Sequence, residues 1–336
     1  ALFRQGNGSH IDGHHREHFM SIDQVTRREL ITGIAIAGGI GIAAPGVLHH
    51  SAAAAPVDEG SASGSKLRRS RRQPAIYVPH GGGPWPFVDL GSFVSQKDVA
   101  TMRRYFETLP ETLSEPPRAL LVISAHWEQA VPTVMTAPHP PMLYDYSGFP
   151  AEAYDIQWPA PGDPALAQRV VDLLQAAGIP TAEDDQRGFD HGTFVPFKLS
   201  WPKADVPTIQ LSLKRGLDPE QHIALGKAIA PLREEGVLIL GSGMSYHNMR
   251  GFFSGSAHGA SVEFDDWLRA ASTAPESERN ALLARWQDAP RAREVHPREE
   301  HLLPLMVIAG AAGQDVGRIT FNEDWMRVRI SAVQFG

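Results

Sequence analysis

Four nearly unbroken apolar runs constrain this chain most: AIYVP at 75–79, RALLVISA at 118–125, VPTIQLSL at 206–213 and VLILGSG at 237–243. A strand with one wet face alternates apolar and polar residues, whereas a strand covered on both faces reads as a continuous apolar stretch. Helical segments lie between the runs. DPALAQRVVDLLQAAG, 163–178, has Asp163 to cap its start, Pro164 in its first turn and Gly178 to stop it. DPEQHIALGKAIAPLREEG, 218–236, repeats that punctuation. Helical spacing is also read at 97–109, within 261–288 and at 299–313, and MRVRISAVQF, 326–335, alternates as a last strand. The pattern predicts an α/β fold: a central mixed, largely parallel sheet flanked by helices, forming a single catalytic domain over 74–336.

The segment before residue 74 reads differently. TRRELITGIAIAGGIGIAAPGVLHHSAAAAP, 26–56, has an arginine pair, a weakly apolar Gly- and Ala-rich run and a small-residue end. That order fits a signal peptide and resembles a twin-arginine export signal, so residues 20–55 are expected to direct export to the periplasm through the twin-arginine machinery. The apolar run is too short and too interrupted to span a bilayer, so no stable membrane span is expected after cleavage. Residues 1–19 are expected to be an unstructured upstream extension, with Met20 as the start. Residues 56–73, small, polar and then basic, are expected to be a flexible linker.

Chemistry is bounded by what the chain lacks. With no cysteine there is no disulfide, thiolate metal site or cysteine nucleophile. A net charge of −7 with no basic face argues against nucleic acid as a partner. Histidine is abundant, at fifteen. His80 follows the first run, His126 the second, and His247 follows VLILGSG after a short loop. His191 sits in GFDHGTF, expected to be a loop. Ligands of open α/β sheets bind beyond the carboxyl ends of the strands, so these histidines can converge there. Each alone is more often a satisfied or surface histidine than a ligand. The glycines after His80 are expected to leave room for a metal and a substrate, or to form a tight turn or an anion nest. HPREEH, 296–301, matches no compact zinc motif.

PHGGGP, LVISAHWE, YDYSGFPAEAYDIQWP, GFDHGTFVPF, GSGMSYHN and HPREEHLLPL occur in that order. Together they resemble the DODA-type (4,5-DOPA) extradiol ring-cleavage dioxygenases of the class III, LigB-like superfamily, from Pro74 almost to the end. The resemblance implies metal ligation by His80, His126 and His301, with His247 either a fourth ligand or an acid/base. It implies that His191 lines the substrate pocket and assists proton transfer or substrate orientation. Glu299 and Glu300 are read instead as solvated residues at a helix start. Tyr144, Asp145 and Tyr146 in YDYSGFP, with Trp127, are candidate pocket-lining residues, Tyr146 and Trp127 as substrate contacts, with loop packing as the alternative. The expected partners are a small aromatic diol and O2. The expected cofactor is Fe(II), with Zn(II) able to bind the same imidazoles. The sequence departs from the family at HGGGP, where HGSP is usual, and at MSYHNM, where Met244 and Tyr246 are larger than usual. Export is also unusual for a catechol-degrading enzyme. Two other readings stay open: a zinc hydrolase on the same scaffold, and an exported, non-catalytic metal or ligand binder.

Overall fold

The computed structural model describes residues 72–336 apart from 90, 92 and 93. The export-signal and extension expectations, and the linker as far as residue 71, lie outside the described residues. The last two residues of the expected linker are tied to the domain. The Gln73 amide donates to the Arg233 carbonyl at 2.9 Å, and Arg72 pairs with Asp315 at 2.7 Å.

One eight-stranded mixed sheet organises the domain. Its centre is parallel. β1 (Ala75–Pro79) and β2 (Ala119–Gln129) both pair with β6 (Val237–Gly243), and β2 also pairs with β5 (Thr208–Lys214). These are the four apolar runs, and burial of nearly every residue in them explains their continuity. The edges are mixed. β8 (Val328–Phe335) runs antiparallel to β1 and to β7 (Gly317–Trp325). On the far side, β3 (Thr133–Met135) lies antiparallel to β5 and parallel to β4 (Ala182–Asp184).

Helices cover both faces. A Cβ on Gly241 or Gly243 would meet the chain at Pro304 or His301, at the head of α9 (Leu303–Ala312), whereas Ser242 bonds to Gly192 in α3 (His191–Ser200). Strand alternation therefore puts α9 and α3 on opposite faces of β6. α1 (Gln96–Thr108) packs on α3, α2 (Pro164–Ala176) packs on α4 (Pro219–Ile229), and α4 packs on α9. The expected α2 caps form: Asp163 accepts from the Leu166 amide at 2.9 Å. α5 (Met249–Ser254), α6 (His258–Thr273), α7 (Glu276–Ala284) and α8 (Ala292–Val295) complete the chain. Among the described residues no helix is long and apolar enough to cross a membrane.

Two expectations are corrected here. The GFDHGTF segment is not all loop, because His191 opens α3. The helix expected over 299–313 begins at Leu303, leaving Glu299, Glu300 and His301 in the turn before it.

Candidate metal centre

Five histidines meet at the carboxyl ends of β1, β2 and β6. His80 directly follows β1, His126 lies near the end of β2, and His247 follows β6. His191 heads α3 and His301 precedes α9. The ring of His80 lies 4.8 Å from that of His126 and 5.1 Å from that of His301, centroid to centroid. One nitrogen from each of these three histidines lies within 4.8 Å of the others, enough to hold a metal ion. His191 flanks His126 at 4.0 Å, and His247 stacks on His301 at 3.3 Å.

Hydrogen bonds around the rings test whether a metal fits. Ser242 has a single hydroxyl proton and donates it to the Gly192 carbonyl, which can only accept. The 2.9 Å contact between Ser242 Oγ and His80 Nδ1 must then run from Nδ1–H to Oγ. His80 is thereby left with a bare Nε2. His301 Nδ1 lies 2.9 Å from Glu300 Oε1, and a carboxylate accepts only, so His301 is also protonated on Nδ1. His126 turns Nδ1 toward Asp145 Oδ2 at 3.5 Å. Its Nε2 faces His80 Nε2 at 3.1 Å. With His80 Nε2 bare, that contact is bridged either by a proton on His126 Nε2 or by a cation. The distance is also about what neighbouring nitrogens show on one ion bound at about 2.1 Å. The donor set therefore fits a divalent metal. Burial pushes His80, His126 and His301 well below the usual histidine range, and the neighbouring imidazoles lower all three further. Neutral rings are the form that ligates.

The chain belongs to the LigB family. A family described as the catalytic LigB subunit of aromatic ring-opening dioxygenase matches residues 74–333. A Beta vulgaris protein named 4,5-DOPA dioxygenase extradiol is 40% identical over 71% of this chain and 90% of its own length. An Escherichia coli K12 protein of the same name is 33% identical over 73% of this chain and 87% of its own. The crystal structure of an uncharacterized E. coli K12 protein superposes with a TM-score of 0.65 at 31% identity, covering 79% of this chain and all of that one. As a LigB-family member the chain is an extradiol ring-opening dioxygenase on a single α/β domain, with a three-histidine cluster that could bind a metal.

Within this LigB domain a layer of polar side chains backs the rings, and it differs in part from the sequence expectation. Glu300 is not solvated. Its side chain is 12% exposed, and Oε1 lies between His301 Nδ1 and His247 Nδ1, 3.1 Å from the latter. Burial pushes its carboxyl up, but His247, a backbone hydrogen bond and Arg298 together hold it below the usual range. Glu299 pairs with Arg293 at 2.6 Å. Asp190, buried at the head of α3, accepts from Ser124, Arg187 and Gln210. Nothing in its sequence context singles out Ser124, Ser242 or Gln210. Only strand alternation toward the histidine face would have marked them.

Tyr146 stands beside the site, its ring 5.9 Å from that of His191 and its hydroxyl donating to the Ala153 carbonyl at 2.6 Å. Trp127 does not contact open space. It is 2% exposed, packed in the core, with the Arg187 guanidinium 5.0 Å from its ring centre. Its surroundings are those of a packed core side chain. The glycine loop is also corrected. A Cβ on Gly81 would strike the Trp85 indole, and one on Gly83 would press on Phe149. Gly81 clears protein rather than a ligand: Trp85 folds back so that Nε1 donates to the His80 carbonyl at 2.7 Å.

Proposed function

We propose that this protein opens a catechol-type ring beside one of its hydroxyls, with His80, His126 and His301 holding Fe(II). One observation carries the reading: three imidazoles within reach of one ion, with Nδ1 of His80 bonded to Ser242, Nδ1 of His301 to Glu300 and Nδ1 of His126 turned toward Asp145. The reaction consumes a catechol and O2 and returns a ring-opened semialdehyde that carries both oxygen atoms. The bound metal would supply a Lewis acid that lowers the pKa of the catechol hydroxyls and a centre able to pass electrons to O2. Zinc suits the same imidazoles but has no redox chemistry, so a zinc form would be folded and inactive.

The remaining work falls to the chain. His191 keeps Nδ1 on Asp145 at 2.8 Å, so its Nε2 is left to take a proton from a ring hydroxyl. His247, beside Glu300, is a second imidazole able to hold a proton and return it, or to serve as a further ligand. Tyr146 offers an aromatic edge to the substrate ring. The relatives are named for 4,5-DOPA, which puts catechols of that type first among candidate substrates. Export rests on residues 20–55 alone.

The test is to strip the protein, reload it anaerobically with Fe(II), and add catechol, DOPA, caffeate and protocatechuate in air. Stoichiometric O2 uptake with a yellow product, lost in His247→Ala, is the expected result. Iron binding without uptake on any ring would remove this reading for those substrates and favour a binder; turnover with zinc and without O2 would favour a hydrolase.

A further inference from the structure

The N-cap position of α3 holds an aspartate that does not cap. Asp190 spends its carboxylate on Ser124, Arg187 and Gln210, and no side-chain bond from it reaches the helix amides. The first amide of the helix, that of His191, donates instead to Asp145 Oδ1 at 2.9 Å, from a loop far away in sequence. The same oxygen lies 2.8 Å from His191 Nδ1. The other oxygen, Oδ2, lies 3.5 Å from His126 Nδ1. One carboxylate thus grips the backbone and ring of His191 and faces the ring of His126.

The loop that carries Asp145 is itself fastened. The Leu143 amide donates to the Phe189 carbonyl at 2.7 Å, and the Phe189 amide to the Pro141 carbonyl at 2.9 Å. The Tyr144 hydroxyl donates to the Ile156 carbonyl at 2.9 Å. The carboxylate is therefore delivered on a rigid strap. An ionised carboxylate can only accept, so the His191 ring presents its proton from Nδ1 and keeps Nε2 bare, and the negative charge 3.5 Å from His126 Nδ1 favours the same tautomer there.

We propose that Asp145 is a positioning residue that sets the ring tautomers of His126 and His191 together, coupling the candidate metal ligand to the candidate proton acceptor. The proposal rests on the metal-centre reading above. It deepens that reading, because neither ring can turn or change tautomer without disturbing the partner shared with the other.

The test uses the full chain, metal-free for the ring spectra so that no ion fixes the His126 tautomer and zinc-loaded for the affinity, and it needs neither O2 nor catechol. Long-range proton–nitrogen correlation spectra of the histidine rings are recorded for the wild type, Asp145→Ala and Asp145→Asn, with zinc affinity measured by chelator competition. The wild type is expected to show protonated Nδ1 and unprotonated Nε2 at His126 and His191. In Asp145→Ala both signatures should become mixed, and zinc affinity should fall by about 10–100-fold. Asp145→Asn keeps one amide oxygen, which can serve only one of the two rings, so a single ring should keep its tautomer. Added formate should restore part of the zinc affinity of Asp145→Ala. A folded Asp145→Ala with both ring signatures and zinc affinity unchanged would overturn the proposal. If the signatures change as expected while the Fe(II) wild type opens no ring, the tautomer role stands and the dioxygenase substrate reading falls.

Discussion

Glu300 Oε1 lies 2.9 Å from His301 Nδ1 and 3.1 Å from His247 Nδ1 while those two rings stack. A carboxylate next in sequence to a candidate ligand thus orients it from behind. Glu300→Gln keeps the shape but leaves one neutral oxygen to serve two Nδ1 groups. Metal affinity should fall about 10–100-fold, as expected for the loss of a partner behind a ligand. Chelator competition checks this, and an unchanged affinity would return Glu300 to a merely structural role.

Ser242 is the corresponding support for His80. Its hydroxyl accepts from His80 Nδ1 and donates to the Gly192 carbonyl in α3, so it ties a candidate ligand to the helix that carries His191. Ser242→Ala leaves both groups buried without that partner. The expected loss of stability is about 1–3 kcal/mol, read by denaturant titration of the metal-free protein. Metal affinity should drop as well, because the His80 ring loses the bond that fixes its tautomer.

The central sheet was legible because covering both faces of a strand leaves a signature in a single sequence. β1 and β6 occupy the apolar runs at 75–79 and 237–243 residue for residue. β3 and β4 were not legible: three residues are too few to show a period. α3 was hidden by Gly192, the β-branched Thr193 and Val195, and Pro196, all poor helix formers, and is held instead by burial on nearly every side. The histidines were legible as strand-end residues and through a family resemblance. Their partners were legible only in part: Asp145 reads as pocket-lining, but its bonds to the rings, like those of Ser242 and Glu300, are tertiary contacts that no local spacing encodes. Glu300 lies before the helix rather than at its start, because that helix begins only at Leu303, with Pro304 in its first turn.

Gly81 shows the same gap between sequence and space. It has φ +77°, and any Cβ there would enter the Trp85 indole. Gly178 has φ +71° with nothing within 4 Å of its Cβ position. Gly178→Ala should therefore cost only the left-handed penalty, about 1–2 kcal/mol. Gly81→Ala should cost clearly more and displace the Trp85 bond to the His80 carbonyl, lowering metal affinity too. Thermal melts of the two variants side by side make the comparison, and equal losses would refute the steric account.

His296 gives a pH dependence that lies outside the ligand set. It is fully buried, its Nε2 lies 3.0 Å from the Ser245 carbonyl, and its Nδ1 has no hydrogen-bond partner. Since a carbonyl only accepts, Nε2 carries the proton of a neutral ring. Burial pushes its pKa down to about 3, against about 6.5 for an unfolded histidine. Between those values the unfolded chain binds the extra proton and the folded chain does not. The stability that His296 contributes is therefore full above about pH 6.5 and is lost as the pH falls toward 3, at up to about 1.4 kcal/mol per pH unit for one proton. His296→Gln keeps a donor for the Ser245 carbonyl and removes the titration. Denaturant midpoints of the metal-loaded protein from pH 7 to pH 5 should fall less steeply in the variant than in the wild type. Parallel slopes would mean that His296 is already charged in the folded protein, or that another group sets the acid limit.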